Sequence, residues 1–168
     1  MIITVFPGQG AQTPGFLEPW LAVPGVRERL ERYSADSGVD LIAAGTEWDA
    51  DRIRDTQVAQ PLIVAASLVS YAALMDATAM TPPTTPDGVA GHSVGEIAAL
   101  VAAGVLSDDD GMRLVGIRGR AMADAAAAAQ TGMSAIIGGD RDAVLARLDE
   151  LELTPANHNG AGQIVAAG

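Results

Sequence analysis

The chain has 168 residues, 49% hydrophobic and 18% charged, which is the composition of a folded domain with a real core and not of a disordered segment. Its formal charge of -11 argues against nucleic acid or an anionic membrane surface as a partner; the absence of cysteine excludes disulfides and thiolate chemistry, and two histidines argue against a zinc site. The apolar start is too short and has no basic flank for a signal peptide, and no apolar run could span a bilayer without Pro or charge, so a soluble cytoplasmic protein is expected.

Ile2 to Phe6 is a short β-branched run that reads as a buried strand, followed by the glycine-rich loop Pro7-Gly8-Gln9-Gly10-Ala11-Gln12. Val26 to Tyr33 has the pattern of an amphipathic helix, and Asp49 to Arg54 that of one or two helical turns. From Pro61, a residue tolerated in a first helical turn, an apolar stretch to Met75 reads as a helix buried on most sides. A Pro/Thr-rich loop is expected over Thr81 to Pro86, then a strand at Gly88-Val89-Ala90-Gly91. A sharp turn at Ser93 leads into a helix from about Val94 to Ala103, closed by Gly104. Ser107 caps a further helix to about Ala129. Beyond Thr131 the pattern is β-α-β-β: strands at Met133 to Ile137, Thr154 to Asn157 and Gln163 to Ala167, with a helix at Asp140 to Leu151. That is the opening of a ferredoxin-like unit, which normally has a further helix and strand. The expected division is an α/β core over 1–130 and a small subdomain beginning at 131–168.

Gly91-His92-Ser93-Val94-Gly95 fits the G-x-S-x-G pattern of a nucleophile elbow. A strand must turn into a helix within one residue, and glycines two before and two after the serine leave room for that turn. Such a turn exposes the serine hydroxyl above the sheet, and the helix start beneath it supplies free N–H groups, Val94 N–H being the natural oxyanion donor. The plainer reading is a Gly-Ser turn with Ser93 as helix N-cap. His92 is adjacent to Ser93 and points elsewhere, so packing or hydrogen bonding is its expected role.

On the helix after Ser107, Asp109, Arg113, Gly116, Arg120 and Asp124 share a stripe, and Arg120 and Asp124 can pair at i,i+4. Arg118 points nearly opposite, among Leu114, Ala121 and Met122. A guanidinium facing the interior or a cleft needs an anionic or strongly accepting partner. An internal salt bridge, a side chain that snorkels outward and a fork that grips a substrate carboxylate are all open from geometry alone.

Several motifs stand in register along the whole chain: Phe6-Pro7-Gly8-Gln9-Gly10-Ala11-Gln12, Val58-Ala59-Gln60-Pro61, Gly91-His92-Ser93-Val94-Gly95-Glu96-Ile97-Ala98-Ala99, Arg118-Gly119-Arg120-Ala121-Met122 and Pro155-Ala156-Asn157-His158-Asn159-Gly160-Ala161-Gly162-Gln163-Ile164-Val165. Together they resemble the N-terminal part of the malonyl-CoA:acyl carrier protein transacylase family. The resemblance implies an α/β core around a mainly parallel sheet with an inserted ferredoxin-like subdomain. It implies Ser93 as the nucleophile that takes malonyl from malonyl-CoA, and the Gln9 and Val94 N–H groups as the oxyanion hole. It implies Arg118 as the holder of the malonyl carboxylate, and the phosphopantetheine thiol of acyl carrier protein as acceptor. It implies no cofactor and no metal. Family members are longer and place a histidine base after the inserted subdomain. Here only His92 and His158 occur, and His158 falls where the family pattern is not catalytic, so residues 1–168 are expected to be inactive alone. Three other readings compete. An acyltransferase domain of a polyketide synthase shares the Gly-His-Ser-x-Gly-Glu motif, but Met1 stands directly before the first strand and Val94 follows the serine as in malonyl-selecting members. A lipid-ester hydrolase would share only the elbow. The missing base supports a non-catalytic fragment.

Overall fold

Strand β1 (Ile3–Phe6) lies parallel to β2 (Gly88–Gly91), in a register that pairs Ile3 with Gly88 and Phe6 with Gly91. Parallel neighbours cannot be joined by a tight turn, and here residues 7–87 make the crossover, most of it helical. The computed structural model describes residues 1–78, 86–128, 131–160 and 162–168. The expected Thr81–Pro86 loop, apart from Pro86, lies outside those residues, as do Ala129 and Ala161. Two units form, Met1–Asp124 and Ala125–Gly168.

In the first unit, α1 (Val26–Ser37) starts and ends on left-handed glycines, Gly25 and Gly38, and buries Val26, Leu30, Tyr33 and Ser37 along one face. α2 (Leu41–Thr46), which the sequence pattern does not announce, is started by the Asp40 carboxylate accepting from Ala43 N–H at 3.0 Å. Only six residues long, it has too few turns for a readable period. The Asp49–Arg54 segment is reduced to a 3-10 turn at Arg52–Arg54.

The central helix, α3 (Thr56–Thr78), corrects the expected start at Pro61. Asp55 decides it: its carboxylate accepts from Gln57 N–H at 3.0 Å, and its carbonyl from Val58 and Ala59 N–H at 2.9 and 2.7 Å. Pro61 therefore sits inside the helix, at the cost of the bond its missing N–H would have made to the Gln57 carbonyl. Gly119 packs against that place, where an added Cβ would lie 3.4 Å from the Gln57 oxygen. The earlier start puts Gln60 on a helix face. By length and hydropathy Thr56–Asp76 could cross a membrane, yet 61% of its most apolar 18-residue window is buried inside the protein. Leu62 and Val64 are wholly buried, and each fully buried apolar side chain of this size contributes roughly 1.5–3 kcal/mol.

α4 (Gly95–Ala102) follows β2, and left-handed Gly104 leads to α5 (Asp108–Ala127). Ser107 caps α5: its hydroxyl accepts from Asp110 N–H at 3.1 Å and donates to the Asp110 carboxylate at 2.7 Å. The start of α5 is tied to α1 by charge. Arg29 and Arg32 flank Asp108, Arg32 reaches Asp109 at 2.9 Å, Arg113 reaches Asp36 at 2.9 Å, and the Tyr33 hydroxyl donates to Asp108. Arg120 does not make the expected pair with Asp124. It donates to the Ser37 carbonyl at 2.8 Å, because Gly116 lets α5 approach the end of α1 so closely that a Cβ there would lie 2.4 Å from the Ser37 oxygen.

The second unit holds β3 (Met133–Ile137), α6 (Arg141–Glu150), β4 (Thr154–Asn159) and β5 (Gln163–Ala167). Its sheet order is β3-β5-β4, antiparallel throughout, so β5 splits a βαβ unit as the ferredoxin-like pattern requires. Asp140 caps α6 by accepting from Ala143 N–H at 3.0 Å, and Leu148 packs on Ile164 and Ala166. β4 runs two residues past the expected Asn157, since His158 and Asn159 pair with Ile164 and Gln163. The fold is α/β with a parallel sheet in one unit and a partial ferredoxin-like sheet in the other.

Candidate active site

Phe6 and Gly91 are register partners, so the Pro7–Gln12 loop and the turn after Gly91 emerge side by side from the C-terminal ends of two parallel strands. In open α/β sheets that is where ligands bind. Ser93 stands on the turn with φ 55°, a left-handed conformation that costs a non-glycine residue of order 1–3 kcal/mol. Its neighbours leave no alternative to glycine. A Cβ on Gly91 would lie 2.2 Å from the Gly95 carbonyl carbon, and one on Gly95 would lie 2.4 Å from the Phe6 oxygen. The Ser93 side chain is exposed and Val94 beneath it is buried. This is a strand-to-helix elbow, not a relaxed N-cap turn.

Among the described residues neither Val94 N–H nor Gln9 N–H donates a backbone hydrogen bond. The Gln9 loop is braced from below: Gln9 Nε2 reaches the Arg54 carbonyl at 3.3 Å, and Gln12 accepts from Gly10 N–H at 2.9 Å while donating to the Ile53 carbonyl at 3.2 Å. The two amides thus belong to anchored segments, one of them at the positive end of the α4 dipole.

Arg118, half-buried on α5, aims at this turn. Its Nη2 donates to Ser93 Oγ at 3.3 Å and its Nη1 to Gln60 Oε1 at 2.5 Å. Gln60 lies on α3, is 1% exposed, and donates through Nε2 to Met122 Sδ at 3.2 Å. Among the described residues Arg118 forms no ion pair. Arg29, Arg32, Arg54, Arg113 and Arg147 each lie against a carboxylate. Of the arrangements open from sequence, the internal salt bridge is therefore not formed among the described residues. Gln60 is the residue sequence reasoning passed over. It stood inside Val58-Ala59-Gln60-Pro61, but a buried glutamine has no periodic signature, and only its meeting with α5 reveals it.

His92 donates its backbone N–H to the Phe6 carbonyl at 3.1 Å, and its ring lies over Gly8, where a Cβ would be 2.7 Å from Nδ1. No imidazole of this unit is hydrogen-bonded to Ser93 Oγ. His158, on β4 of the second unit, is exposed.

Compared with known protein families, residues 3–168 match the acyl transferase domain. The chain belongs to that family. This acyl transferase domain is 49% identical over all 168 residues to the malonyl CoA-acyl carrier protein transacylase of Mycobacterium tuberculosis, and covers 55% of that protein. The crystal structure of MCAT from Mycobacterium tuberculosis superposes on it with a TM-score of 0.93, over 100% of this chain and 55% of that one. PlMCAT, a malonyl-transacylase in complex with the type II PKS acyl-carrier protein AntF, gives a TM-score of 0.83 at 33% identity, over 99% of this chain and 54% of that one. The acyl transferase domain described here thus spans about 55% of the length of the curated relatives it matches.

Proposed function

We propose that the whole protein transfers a malonyl group from malonyl-CoA to the phosphopantetheine thiol of an acyl carrier protein, in cytoplasmic fatty acid biosynthesis, through a malonyl ester on Ser93. One observation carries this reading: a guanidinium with no carboxylate partner among the described residues sits 3.3 Å from the hydroxyl of a strained serine. A hydrolase of plain esters has no use for that charge. An acyl group with a free carboxylate at its far end does, because the fork can hold the carboxylate while the thioester carbonyl meets Ser93 Oγ.

In the first half-reaction Ser93 Oγ attacks the thioester carbon; the Oγ–C bond forms and the C–S bond breaks. The oxyanion that develops in between is met by the N–H groups of Gln9 and Val94. Coenzyme A leaves with the proton that Ser93 gives up, by way of a general base. In the second half-reaction the carrier thiol attacks the malonyl ester; the S–C bond forms, the C–Oγ bond breaks, and the thiol proton passes by way of the same base to Ser93 Oγ. The His92 ring packs over Gly8 and, among the described residues, makes no hydrogen bond to Ser93 Oγ, so this reading takes the base from elsewhere in the whole protein; neither a cofactor nor a metal is required by this chemistry. The likeness to a transacylase bound to a type II PKS carrier supports a second reading, in which the carrier serves polyketide synthesis and the chemistry at Ser93 is unchanged.

The test is intact-mass analysis of the full-length protein after incubation with malonyl-CoA. A malonyl adduct is expected on the parent and none on Ser93→Ala. An adduct that persists in Ser93→Ala removes the nucleophile from this reading.

A further inference from the structure

We propose that Gln60 is a positioning residue that fixes the Arg118 guanidinium while leaving its charge uncompensated, and thereby sets the preference for an acyl group that carries a carboxylate. The inference rests on the reading of Arg118 given above and adds the device that makes it work.

The chemistry of the three side chains orients the amide without ambiguity. A guanidinium offers only donors, so the oxygen of Gln60 must face Arg118, and it does so at 2.5 Å. The amide nitrogen then faces Met122 Sδ at 3.2 Å, a weak acceptor from the turn of α5 after Arg118. Gln60 is 1% exposed, so water does not compete for either end. Both partners of Arg118 are therefore neutral: an amide oxygen and the Ser93 hydroxyl.

That neutrality is the point of the arrangement. The chain carries 21 acidic residues against ten arginines, and several exposed arginines have found carboxylates. A glutamate has the same length as glutamine and would bond the guanidinium more strongly. It would also consume the charge, since a paired guanidinium gains little from a second carboxylate and must break or share the first pair. An apolar residue would leave the charge intact but the fork free to swing. A glutamine supplies an acceptor without a charge, so Arg118 is held in place and still needs an anion. Pro61 adds to the fixity: it directly follows Gln60 within α3 and locks its own φ.

The experiment measures kcat and KM of the full-length protein with malonyl-CoA and with acetyl-CoA as donors, for the parent, Gln60→Glu, Gln60→Met and Arg118→Ala. Gln60→Glu is expected to lower the malonyl-to-acetyl ratio of kcat/KM by on the order of a hundredfold, the worth of a charge-assisted hydrogen bond, chiefly through KM for malonyl-CoA. Gln60→Met keeps the charge and loses the acceptor, so a fall of about tenfold in the same ratio is expected. A Gln60→Glu protein that keeps the parent ratio overturns the proposal. Equal losses on both donors in Gln60→Glu and Gln60→Met also overturn it, because they mean packing alone. Should Gln60→Glu fail to fold, Gln60→Met decides: a fallen ratio supports the proposal and an unchanged one refutes it. Arg118→Ala separates the two layers. If it keeps the malonyl preference, the carboxylate reading itself is wrong. If it loses the preference while Gln60→Glu keeps it, only the role of Gln60 falls.

Discussion

Ser93 is held at φ 55° by contacts that its own side chain does not make. Gly95 passes under the Phe6 and Pro7 carbonyls, and Gly91 passes under the first turn of α4, each with less room than a methyl group occupies. The obstructing atoms are backbone, which cannot rotate away. Gly95→Ala should therefore cost about 3 kcal/mol or more and shift the denaturant midpoint without a change in m. Arg118 belongs to the same scale. Replaced by alanine in the full-length protein, it should lose malonyl transfer and retain acetyl transfer, a change in selectivity of about a hundredfold. Equal losses would make it a structural arginine.

Between helices, the junction of α1 with the start of α5 is a charged seam closed by a buried phenol. Burial, and then the hydrogen bond to Asp108, push the Tyr33 hydroxyl well above its ordinary range, with Arg29 opposing. The native state thus holds a proton that the unfolded chain releases near pH 10. Unfolded molecules bind fewer protons than folded ones above that pH, so stability is complete below pH 10 and falls as pH rises further. Urea unfolding between about pH 8 and 11 should show this decline, and Tyr33→Phe should flatten it. Tyr33→Phe should also cost about 1 kcal/mol at neutral pH, the net worth of one hydrogen bond. At the same helix end, Ser107→Ala should remove roughly 1 kcal/mol, read from the same curves.

For the whole molecule, the surface carries apolar side chains that a polar coat does not hide. Val5 on β1 is 71% exposed and Ile117 on α5 is 60% exposed, with Ile3, Leu74 and Leu114 also open to solvent. β1 and β2 also have only each other as strand partners among the described residues, which leaves backbone donors and acceptors free on their outer sides. Residues 1–168 produced alone should therefore associate with rising concentration in sedimentation velocity, and Val5→Glu should reduce that association. On the reading proposed above, the same material should not accelerate malonyl transfer beyond weak background, because among the described residues no imidazole is hydrogen-bonded to Ser93 Oγ to take its proton. A monomeric preparation with full transfer activity would make His92 or His158 the base and refute this reading.

What the sequence determined by itself was everything set by neighbours along the chain. β2, β3 and β5 have the bounds their patterns predict, Gly104 and Ser107 end and begin helices as their backbone chemistry requires, and the Gly-x-Ser-x-Gly spacing predicts the elbow at Ser93. These are short-range constraints of φ, capping and period. The tertiary structure decided which groups meet. Pro61 reads as a helix start until Asp55 claims the preceding amides, and Arg120 reads as a partner of Asp124 until Gly116 lets the Ser37 carbonyl come within reach. Arg118 could be judged unusual from its helical face, but whether it met a carboxylate or an amide depended on the approach of α3 to α5. That approach puts a buried glutamine 58 positions away in sequence against the guanidinium, a long-range contact that no local pattern encodes.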